Sequence, residues 1–351
     1  MYQYSKCIPQ ESLRDLERAF KNFQQNWKAR QAGQTRRYVG FPKFKKKGRC
    51  KDSFRLNGVI KIFTDSKLVQ LPRLGKLRVK ETPNLNETAR ILSATVSRNA
   101  DRWYVSFTVE ENHPEPPPNE GQLLALDKGL KVFMGTSLGL PIPKPQFLLY
   151  QSKKLRKLSK SVSRKQVGSR NQQKAVDQLA RFHAHVTHTR HDFLHKTTTS
   201  FAKNHSVIVV ENLNIQGLSK NKRQSKYWND LAHGEFQRQL EYKATWYGAK
   251  LVKVDRFFPS SKLCSNCLYY NPDLTLADRI YRCPLCGLEL DRDWNAALNL
   301  EHYYHIYEPR LNRNVAESSE ETLNAGGEVV RPILSRHASM KQEESTSLDL
   351  Q

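Results

Sequence analysis

The feature that most constrains the fold of this 351-residue chain is the spacing of its cysteines. Four of the six follow the pattern C-x2-C, a gap of 15 residues, and C-x2-C: Cys264, Cys267, Cys283 and Cys286. Each pair can present two thiolates to one ion from a tight turn, and two such turns complete a tetrahedral zinc site. Because protein ligands fill all four positions, such a zinc ion is structural. We therefore expect a zinc ribbon over residues 263–290.

Disulfides and redox chemistry explain this pattern less well. A reducing compartment disfavours disulfides, and a redox C-x-x-C motif normally occurs once, near a βαβ unit. The start of the chain lacks the apolar run of a secretory signal, and no apolar stretch approaches the ~20 residues that cross a bilayer. We expect a cytoplasmic protein without a membrane partner, in which Cys7 and Cys50 are free thiols.

The charge of the chain indicates a polyanionic partner. Its 58 Lys+Arg and 34 Asp+Glu residues give a formal net charge of +24, which favours nucleic acid or an anionic membrane surface. The excess lies in two blocks: residues 1–100 carry 23 basic and 7 acidic side chains, and residues 151–200 carry 12 and 2. With 38% hydrophobic residues, the chain has enough apolar side chain for a folded core.

One segment of the first basic block interleaves cations with aromatic rings. A single charged run is most often a solvated surface, but lysines beside exposed rings can pair with phosphates and stack on bases. A membrane-surface segment would need a basic amphipathic helix, which the proline and glycine of this segment disfavour. We expect nucleic acid to contact Lys43, Phe44, Lys45, Lys46, Lys47 and Arg49.

The N-terminal region, residues 1–112, reads as a helix followed by strands. Residues 11–27 place Leu13, Leu16, Phe20, Phe23 and Trp27 on one helical stripe, which we expect to pack in a core. Residues 52–110 are rich in strand formers, with a predicted hairpin of strands 91–97 and 103–109. A proline-rich linker, residues 113–120, follows.

Beyond the linker, the pattern predicts a mixed sheet with helices on its faces. Continuous apolar runs at 123–126 and 207–210 are typical of strands buried on both sides, and 132–136 and 251–254 read as further strands. Residues 151–204 are helical with a break near Gly168, and a helix from about 228 to 247 ends at Gly248. This order indicates a mixed α/β fold. The polar residues 306–351 are expected to be disordered.

Three acids lie at the ends of these elements: Asp127, Glu211 and Asp293. Each has an ordinary alternative role, since an acid after a strand often forms a turn and an Asp before a helix is often its N-cap. In open α/β sheets, however, sites form beyond the carboxyl ends of strands. Three carboxylates meeting there would suit Mg²⁺, and two ions ~4 Å apart can clamp the oxygens of a phosphodiester.

Four segments that contain these acids and cysteines occur in one order along the chain: 126–131 (LDKGLK), 209–213 (VVENL), 259–267 (PSSKLCSNC) and 291–297 (DRDWNAA). Together they resemble the OrfB/TnpB family of bacterial insertion-sequence proteins, relatives of the compact type V CRISPR nucleases. The resemblance covers about residues 10 to 305 and continues weakly at 327–332.

The resemblance implies a RuvC-like, ribonuclease-H-type nuclease domain in two parts, residues 121–262 and 291–305, with the zinc ribbon inserted between them. Its catalytic acids would be Asp127, Glu211 and Asp293, holding two Mg²⁺ ions. Family members bind a guide RNA made from the transposon end and cut matching double-stranded DNA, so that base pairing supplies the specificity. The implied location is the bacterial cytoplasm or nucleoid, and residues 1–112 would contact guide and target.

The chain departs from the family pattern at two places. Lys128 stands where the family usually has an aliphatic residue. Because neighbours on a strand face opposite ways, Lys128 should point away from the metal ions, towards a helix-covered face where a charge is costly unless it reaches water. The family's opening strand and helices also have no counterpart, so a shortened N-terminal domain is expected.

Three functions therefore stand side by side. The first, which we favour, is a magnesium-dependent, RNA-guided DNA endonuclease. The second is a regulator of the same family that binds nucleic acid without cutting it, which Lys128 and the short N-terminus favour. The third is a transposase that joins strands, because ribonuclease-H-type sites support such chemistry in other families.

Overall fold

The computed structural model describes residues 5–35, 38–46, 50–83, 85–86, 88–221, 224–275 and 277–306. The chain forms two compact units. The first draws on the residues up to 114 and on 154–185, and the second on 115–153 and the residues from 186 onward. The predicted tail was residues 306–351, of which 307–351 lie outside the described residues, as do Lys47 and Arg49.

The part of the first unit before residue 114 contains, among the described residues, one long helix and six strands. Helix α1 (Cys7–Gln31) precedes β1 (Ser53–Asn57), β2 (Lys61–Phe63), β3 (Leu68–Leu71), β4 (Gly75–Arg78), β5 (Arg90–Asn99) and β6 (Arg102–Glu110). Strands β1, β5 and β6 form one antiparallel sheet, and β2, β3 and β4 form another. The hairpin prediction is confirmed by β5 and β6, with Ala100 in the left-handed region at their turn. Five buried apolar residues make the core: Leu56, Val69, Leu71, Ala94 and Val96.

The predicted core role of the α1 stripe is wrong. Leu13, Leu16 and Trp27 are 66%, 45% and 55% exposed, and α1 has no buried residue. Two of its rings, Phe20 and Phe23, pack edge-on against Phe41 at centroid distances of 5.4 and 5.5 Å. The helical period was predicted correctly, but an amphipathic pattern shows only that a face is apolar and not that another element of the chain covers it.

The second unit is built on a four-stranded sheet. Its strands are β7 (Leu124–Lys128), β8 (Met134–Thr136), β9 (Val207–Glu211) and β10 (Lys250–Val254), in the order β10-β9-β7-β8. Strands β7, β9 and β10 are parallel, whereas β8 runs antiparallel to β7. The predicted mixed α/β sheet is confirmed.

Helices follow and connect these strands. In chain order they are α2 (Phe147–Ser163), α3 (Arg170–Asn204), α4 (Ile215–Leu218), α5 (Ser225–Leu231), α6 (His233–Trp246) and α7 (Arg292–Ile306). Residues 154–185, which include parts of α2 and α3, belong to the first unit. The predicted break lies between α2 and α3, where Gly168 has φ +81°. The single helix predicted for 228–247 is wrong: Ala232, with φ 52°, separates α5 from α6. No described helix is long and apolar enough to span a membrane.

Burial of both sheet faces explains the continuous apolar strands. Alternate residues Leu124 and Leu126 of β7 pack towards Phe236 and Leu240 of α6. Ala125, between them, packs in the opposite layer with Val209 of β9 and with Leu300 and Tyr303 of α7. Since side chains alternate along a strand, burial of both faces accounts for the consecutive apolar residues of β7 and β9.

A small ribbon precedes α7. Its strands β11 (Ile280–Arg282) and β12 (Glu289–Asp291) pair antiparallel. A separate buried cluster consists of Cys264, Leu274, Tyr281 and Cys283. This local core is too small to hold the segment by apolar burial alone, which is typical of ribbons that a metal stabilises.

Candidate functional site

Asp127 and Glu211 are brought together by the register of two parallel strands. Leu126 pairs with Val210 across β7 and β9, so that the next residues, Asp127 and Glu211, lie side by side. Both are part of their strands rather than of the turns after them. By alternation they share the face of Ala125 and Val209, which is the face that α7 covers.

Asp293 lies in the first turn of α7, above the same strands. The alternative role of N-cap belongs to Asp291, because its Oδ1 accepts hydrogen bonds from the backbone N–H groups of Asp293 and Trp294 at 2.9 and 3.1 Å. Opposite Asp127 in the β7–β8 ladder is Gly135. A Cβ at Gly135 would stand 3.0 Å from the carbonyl oxygen of Asp293, so glycine allows α7 to approach the sheet here.

The three predicted acids line one cavity of about 430 Å³. The ligand atoms of these three acids do not all lie within 4.8 Å of one another; among the described residues, only the four-cysteine cluster meets that distance. Ser260 and Ser261 add further oxygen atoms to the wall. Burial, and next the charge of Asp291, raise the pKa of Asp293. A cation would offset both effects, so this donor set suits a hard ion.

Cationic side chains also line the cavity. Lys131, Arg279 and Arg292 belong to its wall, and the charge of each lowers the pKa of Asp293, against the larger effect of burial. Sequence reasoning missed Arg279, which stands in no pattern that indicates a role. It also missed Ser260, although this residue lies in the 259–267 segment. Arg292 could have been found from its place between two acids of the 291–297 segment.

Lys128 points to the opposite face, as predicted, and stays inside the protein. It is 5% exposed, and its Nζ donates to the backbone carbonyl oxygen of Glu211 at 2.7 Å and to Oε1 of Gln237 on α6 at 2.9 Å. Burial lowers the pKa of Lys128 to about 8, although the charges of Glu211 and Asp127 act in the other direction. The amine is therefore satisfied by internal acceptors and does not reach water.

The four predicted zinc ligands converge. Their sulfur atoms all lie within 4.8 Å of one another, with Sγ–Sγ distances of 3.6 Å between Cys264 and Cys286 and 3.5 Å between Cys267 and Cys283. A tetrahedral ion with bonds of ~2.3 Å would place its sulfurs about 3.8 Å apart. The distances fit one zinc ion.

The two cysteine turns have the same construction. Leu268 and Gly287 follow them with φ values of 60° and 73°. The N–H of each donates to the carbonyl oxygen of the first cysteine of its turn, at 2.9 and 3.0 Å. Burial raises the pKa of Cys264 to about 12, while a backbone hydrogen bond from Leu288 lowers that of Cys286 to about 6. Zinc binding would deprotonate all four thiols.

The predicted nucleic-acid segment is exposed where the structure describes it. Phe44 is 96% exposed, and the lysines at 43, 45 and 46 are exposed as well. Lys45 lies 3.8 Å from the carboxylate of Asp15. A bare ring between cations can stack on a base, and contact with nucleic acid at these positions stays a prediction. Cys7 and Cys50 are free, as predicted.

Two family models match this chain. Residues 106–222 match the OrfB_IS605 family, described as "Probable transposase", and residues 233–300 match the "Cas12f1-like, TNB domain". A Streptomyces pristinaespiralis protein, provisionally named RNA-guided DNA endonuclease, is 34% identical over 83% of this chain and 69% of its own length. The chain belongs to the OrfB/TnpB family.

Two further proteins and one solved structure are similar to parts of this chain. InsQ of Escherichia coli K12, with the same provisional endonuclease name, is 31% identical over 83% of this chain and 72% of its own length. The TnpB-like protein L79 of Acanthamoeba polyphaga mimivirus is 29% identical over 42% of this chain and 29% of its own. A solved Cas12f1–sgRNA–target DNA complex aligns over 78% of this chain and 67% of that one, with a TM-score of 0.46 and 15% identity.

Proposed function

We propose that this OrfB/TnpB-family chain is an RNA-guided DNA endonuclease whose catalytic centre is the cavity lined by Asp127, Glu211 and Asp293. The observation that supports this most directly is the convergence of three carboxylates, far apart in sequence, in one cavity of a mixed α/β unit. The names of the Streptomyces and Escherichia relatives point to the same activity. On this proposal the second unit carries a RuvC-like nuclease fold, with residues 263–290 as its inserted zinc ribbon.

The three carboxylates would hold two Mg²⁺ ions. When bound, such ions activate water for attack and stabilise the leaving oxygen of a phosphodiester. The chain's own residues would prepare the site in two ways. The pairing of β7 with β9 fixes Asp127 beside Glu211, and Asp291, by capping α7, leaves the Asp293 carboxylate to face the cavity. Lys131, Arg279 and Arg292 would attract the phosphate backbone to its wall.

The two basic blocks would bind the guide RNA and the target DNA. Residues 128–176 contain no acidic side chain, and their exposed cations include Lys157 and Lys160 on α2 and Arg164 just after it. A surface of this kind contacts backbone phosphates without reading sequence, which suits a protein whose specificity comes from base pairing. The proposed guide derives from the transposon end that flanks the gene.

A cleavage experiment tests this function. The chain is expressed together with its flanking transposon end, the copurified RNA is sequenced, and a matching plasmid with randomised flanks is offered in Mg²⁺. We expect cutting by the parent protein and a loss of at least about a hundredfold in rate for Asp127→Ala and Asp293→Ala. Both variants should retain RNA binding. Asp192→Ala, which removes an exposed carboxylate on α3, is the matched control and should cut normally.

Two outcomes would replace the proposal. Guide-dependent target binding without nicking in Mg²⁺ or Mn²⁺ would indicate a regulator, the alternative that the buried Lys128 favours. Joined strands from purified protein and transposon ends would indicate a strand-transferring transposase. Full cutting by Asp127→Ala or by Asp293→Ala would refute the assignment of the carboxylates.

A further inference from the structure

Two asparagines of α7 are fully buried and bind the backbone of the first cysteine turn. Asn295 and Asn299 are each 0% exposed. Asn295 donates through Nδ2 to the carbonyl oxygen of Leu263 at 2.7 Å, and its Oδ1 accepts the N–H of Ser265 at 3.0 Å. Leu263 and Ser265 stand on either side of Cys264. One amide therefore holds both neighbours of a predicted zinc ligand.

Asn299 extends the same contact by one helical turn. Its Nδ2 donates to the carbonyl oxygens of Leu263 and Ser260, at 2.7 and 2.8 Å. Its Oδ1 is buried without a hydrogen-bond partner among the described residues. Leaving a buried oxygen without a hydrogen bond costs free energy. The position of this side chain is therefore set by the two hydrogen bonds that Nδ2 donates. Ser260 itself lines the cavity of the carboxylates.

These contacts fix α7 to the ribbon at the end of the helix that carries Asp293. Asn295 is two residues beyond Asp293, and residues four apart share a helix face. Both amides therefore hydrogen-bond to the chain around Cys264 from one side of α7. Asp293, in the first turn of the same helix, lines the cavity. A helix held by two buried amides cannot slide along its axis or turn about it without breaking those bonds.

We propose that Asn295 and Asn299 are positioning residues that couple the four-cysteine ribbon to Asp293. The ribbon, folded around its metal, gives the amides a rigid backbone to bind, and through them it sets the placement of the third carboxylate. This inference rests on the proposed function, because it needs Asp293 to hold a divalent ion. It assigns the ribbon a second task beyond local stability, namely the alignment of the metal-binding carboxylates.

Manganese binding tests the coupling without relying on cleavage. Zinc-loaded, RNA-free full-length protein is titrated with Mn²⁺ and the free ion is measured by electron paramagnetic resonance. We expect Asn295→Ala to keep one zinc per chain and its guide-RNA binding, and to lose about 10- to 100-fold in Mn²⁺ affinity. Cleavage by this variant should then need correspondingly more Mg²⁺. If the alanine variant does not fold, Asn295→Asp takes its place. This variant keeps the side-chain volume but loses the donor to Leu263, and it should show the same loss of Mn²⁺ affinity.

The matched control is Gln239→Ala on α6. Gln239 is likewise 0% exposed and bonds to Thr198 and Glu235 rather than to the ribbon. Its loss should lower the unfolding midpoint as much as Asn295→Ala while leaving Mn²⁺ affinity unchanged. An equal fall in Mn²⁺ affinity in both variants would show that Asn295 acts only through stability, and would overturn the proposal.

Asp293→Ala separates this inference from the proposed function. If Asp293→Ala weakens Mn²⁺ binding while Asn295→Ala and Asn295→Asp do not, the coupling is refuted and the function stands. If Asp293→Ala itself leaves Mn²⁺ binding and cutting unchanged, the proposed assignment of the catalytic carboxylates fails and the coupling fails with it. Zinc removal by a chelator should weaken Mn²⁺ binding in the parent protein. It should weaken binding little further in Asn295→Ala, because both changes break the same connection between the ribbon and Asp293.

Discussion

Replacing His233 with phenylalanine should remove an acid-sensitive element from the second unit. His233 opens α6 and is 0% exposed. Its ring stacks on Phe133 at a centroid distance of 4.9 Å and lies 5.6 Å from the ring of Trp228. Its Nε2 is 3.4 Å from the carbonyl oxygen of Gly129, and its Nδ1 has no hydrogen-bond partner among the described residues. A proton on this ring would lie in a largely apolar site.

The magnitude follows from the pKa of His233. Burial lowers this pKa to about 3, and the charges of Lys128 and Lys144 act in the same direction, against a backbone hydrogen bond to Gly129. In the unfolded chain the group titrates near 6.5. Below pH 6.5 the unfolded state binds a proton at this group and the folded state does not. The free energy of unfolding therefore falls as the pH falls from 6.5 towards 3. Between pH 7.5 and pH 5.0 this one group should cost about 2 kcal/mol.

Urea unfolding, followed by circular dichroism in excess zinc at pH 7.5 and 5.0, measures this loss. Parent and His233→Phe proteins share every other acid-sensitive group, so the difference between their losses isolates His233. We expect the parent to lose about 2 kcal/mol more than the variant over this interval. His113→Gln, which removes an exposed histidine, should behave as the parent does. An equal loss in parent and His233→Phe would refute the reasoning.

Two further predictions concern the same unit. Purified protein should carry one zinc per chain by elemental analysis, and Cys264→Ser should release it and lower the unfolding midpoint; fully folded, metal-free parent protein would contradict this. Asp230, 4% exposed, lies 2.8 Å from Arg190 and accepts the backbone N–H of Leu148 at the start of α2. Asp230→Ala should cost about 3 kcal/mol in urea unfolding because it leaves Arg190 without its carboxylate, and a change below 1 kcal/mol would contradict it.

Much of the architecture could be predicted because its signals are local. A run such as 207–210, with four consecutive apolar residues, is compatible with a strand buried on both faces and with little else of that length. The hairpin at 99–102 and the helix end at Gly248 have turn residues that fix the backbone locally. The cysteine spacing predicted a convergence that the structure contains, since two short turns impose it.

The errors arose where a distant contact decides the outcome. The apolar stripe of α1 predicted burial, and its exposure depends on which elements lie nearby. The break at Ala232 was not predicted because the residue that adopts the left-handed conformation is an alanine rather than a glycine. Asn299 looks like an ordinary helix residue in the sequence, and the 291–297 segment contains Asn295 without indicating what its side chain binds. The role that we propose for them depends on hydrogen-bond partners more than thirty residues away, which no local pattern can indicate.

The alternation of side chains along β7 links the fold most closely to the proposed chemistry. Asp127 and Lys128 are adjacent residues of opposite charge, and they face opposite sides of the sheet: α7 with Asp293 on one side, and Gln237 of α6 on the other. A slip of one residue in this strand would put the amine among the carboxylates and the carboxylate under α6. Such a slip would also bury Ala125 against the α6 layer and open a gap beside Phe236. The apolar residues on both faces of β7 therefore fix the register, and that register places the carboxylate where a metal ion could bind it.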